Sequence, residues 1–231
     1  MDLAEPQVLG SAQAEQAWIG RCIDAGLDRP RLAFVHYDQC AVIYGRSTVP
    51  TAEARERARE AACTVLQRRS GGGAVLAGPW MLGAALLVPP AAPLAALGIV
   101  DAFRGFGAAW RQALGELGAA CHEPTPDEVA RQNRAVSELG VNWVCFSGLS
   151  HGELVDSQGC KVLGLAQWRG KWGVLLSAGF LLQPVPWHLL GWVHLGSRPW
   201  TPGHAVSQGI ALDAGALGRE FVSALRTTAL A

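Results

Sequence analysis

The chain has 231 residues, half of them apolar and 16% charged, with nineteen basic and nineteen acidic side chains. That length buries a sizeable core in one large domain or two small ones, and the apolar share excludes a disordered chain. A formal net charge of zero leaves no global field to favour nucleic acid or a membrane surface, so any anion site is local.

Ser11 to Ala25 predicts a helix capped by Ser11, with Trp18, Ile19, Cys22 and Ile23 on one face. Leu32–Tyr37 and Cys40–Tyr44 predict short strands joined as a hairpin through Asp38-Gln39. Thr51 is placed to cap a charged helix reaching Ala62, with Glu53 near its start and Arg57 and Arg59 later. Strand-like Cys63–Gln67 then leads into Arg68-Arg69-Ser70-Gly71-Gly72-Gly73-Ala74-Val75. Three successive glycines are costly in backbone entropy. They form either a wide turn between strands or a close approach of main-chain N–H groups to an anion. The planar donors of Arg68 and Arg69 favour the anion.

A strand over 82–88 follows and ends at Pro89, Pro90 and Pro93. The apolar stretch from Ala74 to Val100 is broken by Gly78-Pro79 and Gly83, and reads as buried strand and loop, not a membrane span. Asp101–Leu117 predicts a helix whose Phe103, Phe106, Trp110, Leu114 and Leu117 form a core stripe. Cys121–Gly140, polar and holding Pro124 and Pro126, predicts a surface excursion or mobile loop. Val141–Phe146, Glu153–Val155, Cys160–Trp168 and Gly173–Leu182 predict strands, with hairpin turns at Asp156–Gly159 and Arg169–Lys171. The Trp- and Pro-rich segment Pro184–Pro202 either wraps the domain or meets a partner, and Asp213–Ala229 predicts an amphipathic helix. Strands with interspersed helices, and no repeat or linker, predict one α+β domain over 1–231 around a largely antiparallel sheet.

The cysteines at 22, 40, 63, 121, 145 and 160 show no C-x-x-C pair and no zinc spacing. No cationic, apolar leader opens the sequence, so reduced thiols in the cytoplasm are expected. His122, His151, His188, His194 and His204 lack metal-like spacing, and no metal site is expected from them.

Two stretches join the glycine loop as candidates for chemistry. In Gly159-Cys160-Lys161-Val162-Leu163-Gly164-Leu165-Ala166-Gln167, strand alternation places Lys161 with Leu163, Leu165 and Gln167, and Val162, Gly164 and Ala166 on the other face. An ammonium beside an apolar wall suits an acyl chain ending in a carboxylate; a solvated surface lysine is the equal alternative. Cys145, at the end of the strand before Phe146-Ser147-Gly148-Leu149-Ser150-His151, is either an inert core thiol or a nucleophile awaiting a base or positive charge.

Together these stretches resemble the lipoate–protein ligase and octanoyltransferase family, related in fold to biotin–protein ligases. The family's arginine loop matches Arg68 to Val75, its Gly-Arg turn matches Ala41–Ser47, and its Gly-x-Lys-Val-x-Gly-x-Ala-Gln strand matches Gly159–Gln167. The resemblance runs from about Leu32 to Gln183. It implies a lipoate ligase-like catalytic domain that activates lipoate or octanoate with ATP and Mg2+ as an acyl-adenylate. A lysine of a lipoyl-domain acceptor protein then attacks that adenylate. On this resemblance Arg68, Ser70, Gly71, Gly72, Gly73, Ala74 and Val75, with Gly164, Ala166 and Gln167, bind substrate or adenylate. Lys161 stands at the reacting carboxylate, and Trp143, Trp168, Trp172 and Leu163 line an acyl tunnel or pack in the core. Single-domain relatives instead pass the acyl group from an acyl carrier protein through a cysteine thioester without ATP, which assigns that role to Cys145. The third implication is a non-catalytic lipoyl-binding module. Leu76-Ala77-Gly78-Pro79 and Ser177-Ala178-Gly179 stand where the family has histidines. No C-terminal accessory domain is expected within these residues, so a separate accessory chain would supply one.

Overall fold

The computed structural model describes residues 2–196 and 209–227. Strand β1 (Gln7–Leu9) precedes helix α1 (Ala12–Asp24), whose Ser11 cap accepts from the Ala14 N–H. Strands β2 (Arg31–His36) and β3 (Ala41–Tyr44) lead to α2 (Ala52–Glu60), capped by Thr51. Strands β4 (Thr64–Gln67), β5 (Val75–Ala77) and β6 (Met81–Val88) follow, then the short α3 (Pro93–Ala96) and long α4 (Ile99–Glu116). Helix α5 (Pro126–Glu138) precedes β7 (Leu154–Val155), β8 (Lys161–Gly170) and β9 (Gly173–Leu181). Helices α6 (Trp187–Leu195) and α7 (Ala214–Thr227) complete the described elements.

The strands form a six-stranded sheet ordered β1-β2-β6-β9-β8-β7 and a three-stranded sheet ordered β4-β3-β5. In the large sheet β1–β2 is parallel and the other pairs are antiparallel. Alternation along β6 decides how it is covered. Leu82, Ala84, Leu86 and Val88 join the core under α4 and α7, while Ala85 and Leu87 meet Trp18, Ile19 and Cys22 of α1. Trp110 of α4 stacks on Phe221 of α7 with ring centroids 4.2 Å apart. The small sheet, α2 and α6 share a second core with Tyr37, Met81 and Leu181. The candidate site residues sit where that core meets the large sheet.

Four expectations change. Asp38-Gln39 closes no hairpin, because β2 lies between β1 and β6 while β3 pairs with β4 and β5 in the other sheet. Leu32–Val35 are all buried, so β2 is a central strand that needs a partner on each edge. The 121–140 segment is not a loop throughout. Thr125 and Glu128 form a reciprocal capping box, and Pro126 occupies the first turn of α5. Residues 141–146 make turns, not a strand, held to the glycine loop by a single bridge between Ala74 and Val144. Lastly, Cys40 and Cys63 form a disulfide, so the thiols are not uniformly reduced.

The first part of the Trp- and Pro-rich segment folds as α6 and packs on α2. Arg57 Nε donates to the Val193 carbonyl at 3.0 Å. Residues 197–208, with Trp200 and Pro202, lie outside the described residues, as do 228 and 229 of the last predicted helix. Among the described residues no helix is long and apolar enough to cross a membrane.

The disulfide closes a loop with a sequence separation of 23. Chain-entropy reasoning assigns such a closure about 3 kcal/mol. Urea unfolding of the Cys63→Ala variant should therefore show a loss of that order. Equal midpoints for variant and non-reduced protein would show that the bridge does not form in solution.

Candidate functional site

The glycine loop between β4 and β5 is shaped by close main-chain contact. Gly72 has φ +95, a conformation that L side chains rarely adopt. A Cβ on Gly73 would stand 2.4 Å from the Trp143 carbonyl oxygen, and one on Gly45 would stand 1.9 Å from that of Gly72. Packing therefore demands glycine at 45 and 73, and backbone conformation favours it at 72. Gly71 differs, since a Cβ there would meet nothing within 4 Å.

Arg68 braces this loop from inside. Its Nε and Nη2 donate to the Gly71 carbonyl at 3.2 and 2.8 Å, and Nη2 also reaches the Gly73 carbonyl at 2.9 Å. Its guanidinium thus serves main-chain acceptors first, where the resemblance implies a bound anion. Ser70 is buried, and its carbonyl accepts from the Arg46 N–H at 3.0 Å. Ala74 donates to the Trp143 carbonyl and accepts from Cys145 N–H, which pins residues 143–145 beside the loop.

Lys161 is 3% exposed and fully engaged. Its ammonium sits 2.7 Å from Glu153 Oε1 and donates to the carbonyls of Cys145 and Gly148 at 2.9 and 3.0 Å. The Phe146 ring centroid lies 5.2 Å away. An ammonium has three donors, and all three have partners. Burial pushes the Glu153 carboxyl upward, opposed by the adjacent ammonium. Strand alternation misplaces Lys161, because a register irregularity pairs Val155 with Lys161 but Leu154 with Leu163. Consequently Lys161 Cε lies 3.3 Å from where a Gly164 Cβ would stand, on the Gly164 side and not with Leu163. The bare Gly164 leaves room for both Lys161 and the Phe146 ring.

Two hollows meet at Cys145. One is a largely apolar cavity of about 70 Å³ under the loop, lined by Ile43, Val75, Met81, Leu165, Leu175 and Ala178, with Gly164 and Ala166 on its β8 wall. Glu15, Tyr37, Arg68 and Ser70 form its polar side. The other is a cleft of about 490 Å³ bounded by Gly71, Gly72, Gly73, Asn133, Asn142, Lys161 and Gln167. Cys145 lines both, and its Sγ is 3.9 Å from Arg68 Nη2. His151 lines neither hollow. The expected acyl-lining aromatics are elsewhere. Trp143 stacks on His194 at 4.2 Å, Trp168 meets Trp172 at 4.7 Å, and Leu163 is in the main core.

Sequence reasoning missed Glu15, Tyr37 and Glu153. Glu15 faces inward from α1, with its Oε2 3.4 Å from the Tyr37 hydroxyl. Its signal was an acidic residue one turn ahead of Trp18 and Ile19, on the face that the helix buries. Burial raises its carboxyl to about 7, offset in part by Tyr37 and Arg68. Glu153 carried a fainter signal, a charge at the start of an apolar strand.

The hollows also limit which cofactors fit. Among the described residues the N–H groups of Gly71, Gly72 and Gly73 meet no acceptor, which suits a phosphate of ATP. Magnesium fits poorly, since Glu153 is the carboxylate lining the cleft and Lys161, Ser150 and Leu165 already occupy it. Among the described residues no three His, Cys, Asp or Glu side chains gather as metal ligands.

The family model described as "Lipoyl protein ligase A/B catalytic domain" matches residues 11–185. A search of curated proteins gave no match. Among solved structures, a lipoate-protein ligase A bound with ATP superposes with TM-score 0.68 at 19% identity, covering 96% of this chain and 86% of that one. The bi-partite lipoate protein ligase from Thermoplasma acidophilum gives TM-score 0.60 at 19% identity, covering 96% and 84%. P. falciparum LipL1 in complex with lipoate gives 0.61 at 11% identity, covering 96% and 60%. These likenesses show a common fold, the mixed sheet with flanking helices that the sequence predicts.

Glu15 makes stability depend on pH. Its folded-state value of about 7 lies above the ordinary 4.5, so its contribution is complete below 4.5 and is lost as pH rises toward 7. Glu15→Gln removes the titration. The stability difference between the two proteins should change by about 3 kcal/mol between pH 4 and pH 8, with the variant gaining at high pH. Parallel stability curves would show that Glu15 is solvated.

Proposed function

Because the chain belongs to the lipoyl protein ligase A/B catalytic domain family, we propose that it moves a lipoyl or octanoyl group onto a lysine of a lipoyl-domain protein through a thioester on Cys145. The observation that carries this reading is the position of Cys145. Its sulfur stands at the junction of an apolar cavity and a roomy cleft, 3.9 Å from Nη2 of Arg68.

The geometry supports the following steps. The acyl chain occupies the cavity walled by Ile43, Met81 and Leu175, which sets its carbonyl near Cys145. The Cys145 sulfur attacks the carbonyl of a thioester carried by a donor such as an acyl carrier protein, and the donor's sulfur leaves with the proton that Cys145 gives up. The acceptor's lysine amine, deprotonated, then attacks the Cys145 thioester from the cleft. An amide forms, the carbon–sulfur bond breaks, and Cys145 is regenerated. The N–H groups of Gly71–Gly73, without an acceptor among the described residues, offer donors to the oxyanion of either step. Lys161 acts by holding the Cys145 main chain, since its own N–H groups are spent.

The same glycine N–H groups favour a second reading, ATP-dependent ligation. There Gly71–Gly73 would hold the nucleotide phosphate, and ATP would supply the leaving group that activates a free carboxylate. A separate accessory chain fits this reading, and a non-catalytic binding module is the third. Loss of histidines at 76–79 and 177–179 leaves no imidazole in either hollow's lining.

Intact-mass spectrometry separates them. Incubation with octanoyl carrier protein and a lipoyl domain, without ATP, should leave an octanoyl adduct on Cys145 and octanoylate the domain. Cys145→Ser should lower transfer by at least about 1,000-fold. Modification that requires lipoate and ATP, and survives Cys145→Ser, would establish the ligase instead. Binding without any modification would leave the module.

A further inference from the structure

Glu153 is a buried carboxylate with three partners, two on β8 and one in the stretch before β7. Its Oε1 faces the Lys161 ammonium at 2.7 Å and accepts from the Leu165 N–H at 3.0 Å, while its Oε2 accepts from the Ser150 N–H at 2.8 Å. Leu165 is on β8, between Gly164 and Ala166, in the wall of the acyl cavity. Ser150 belongs to the stretch after Cys145 and lines the cleft. Strand β7 holds only Leu154 and Val155, so it does not extend far enough to pair with Leu165. The carboxylate takes the place of a strand there.

We infer that Glu153 is a positioning residue, which fixes the cysteine-bearing turn against the acyl-cavity wall through Lys161 and thereby aligns Cys145 with the bound acyl carbonyl. The chain of contacts is continuous. Leu165 N–H and Ser150 N–H fix the carboxylate from both sides. The carboxylate fixes the ammonium, and the ammonium fixes the carbonyls of Cys145 and Gly148. Each joint is charge-assisted or buried, so the assembly has little freedom to adjust. A small displacement at such a site lowers the rate without weakening acyl binding, because alignment enters the reaction step alone. This inference rests on the Cys145 route and adds the residue that sets its geometry.

The test uses full-length wild type, Glu153→Gln, and the double variant Glu153→Leu/Lys161→Met, which replaces the buried pair with apolar side chains of similar size and so guards against misfolding of the single variant. Octanoyl-N-acetylcysteamine is the acyl donor, and loading of Cys145 is followed by mass spectrometry. The double variant should melt within about 5 °C of wild type, and Glu153→Gln, which strands the ammonium, should melt lower but stay folded at the assay temperature; both should load at least about 10-fold more slowly at saturation, with KM within about threefold. Glu153→Gln, which keeps an acceptor for the two N–H groups, should be the faster variant. A structural role alone would leave the saturated rate of a folded variant unmoved. Wild-type loading rates in folded variants would overturn the inference and leave the Cys145 route standing. Should wild type itself fail to load, the route falls, and alkylation of Cys145 by iodoacetamide then decides. A rate altered at least about threefold in the variants retains the positioning role, and equal rates remove it.

Discussion

A buried ammonium must spend three N–H bonds, and in this fold Lys161 spends them on one carboxylate and two main-chain carbonyls. Removing either charge from such a pair strands the other in a low-dielectric interior, at a cost of about 3–5 kcal/mol. The pair therefore constrains its surroundings more than it stabilises them. Glu153 cannot leave without exposing Leu165 and Ser150, and Lys161 cannot leave without releasing residues 145–148. A Lys161 substitution accordingly removes a fixed charge and loosens the cysteine-bearing turn at once, so loss of activity in it would not by itself mark a group that touches substrate.

The glycine loop is the second fixed part, and it is built from the same economy of space. Main chains at 45, 72, 73 and 143 approach too closely for side chains, and Arg68 fills the loop's interior with donors to its carbonyls. With the Gly71 and Gly73 carbonyls bonded to Arg68, the N–H groups of 71–73 meet no acceptor among the described residues. Cys145 lies where these two rigid parts meet. It opens onto the apolar cavity on one side and the cleft on the other, which under the proposed transfer would receive the acyl chain and the incoming amine. The polar side of that cavity, with Glu15 and Tyr37, is a feature of this chain that the family motifs do not foretell.

Much of this was legible in the residues. Ser11 and Thr51 announced their helices by capping, and the Phe106–Trp110–Leu114 stripe announced α4. Arg68–Val75 and Gly159–Gln167 brought the loop and the lysine strand to one site, as motif order implied. The errors have local causes. Periodicity says nothing about which sheet a strand joins, so β2 and β3 read as a hairpin. High polarity hid α5, although Thr125 and Glu128 stood at capping-box spacing. The irregular pairing at Val155 overrode alternation and swung Lys161 to the Gly164 side. Apolar content made 141–146 look like a strand, whereas Ser147 Oγ shares its single proton between the Val141 and Val144 carbonyls, 2.8 and 2.7 Å away, and closes the segment into turns. Buried acids such as Glu15 and Glu153 are hardest to foresee, because their partners are distant in the chain and include main-chain atoms.

Hydrogen–deuterium exchange, compared between wild type and Lys161→Met, tests the central constraint most directly. If the ammonium holds the cysteine-bearing turn, the N–H groups of Cys145, Ser147, Leu149 and Ser150, all bonded in this fold, should exchange at least about 10-fold faster in the variant. Those of β6 and β9 should keep their protection. Unchanged exchange across 145–150 in a folded variant would contradict the account, since it would show that the turn holds its shape without Lys161.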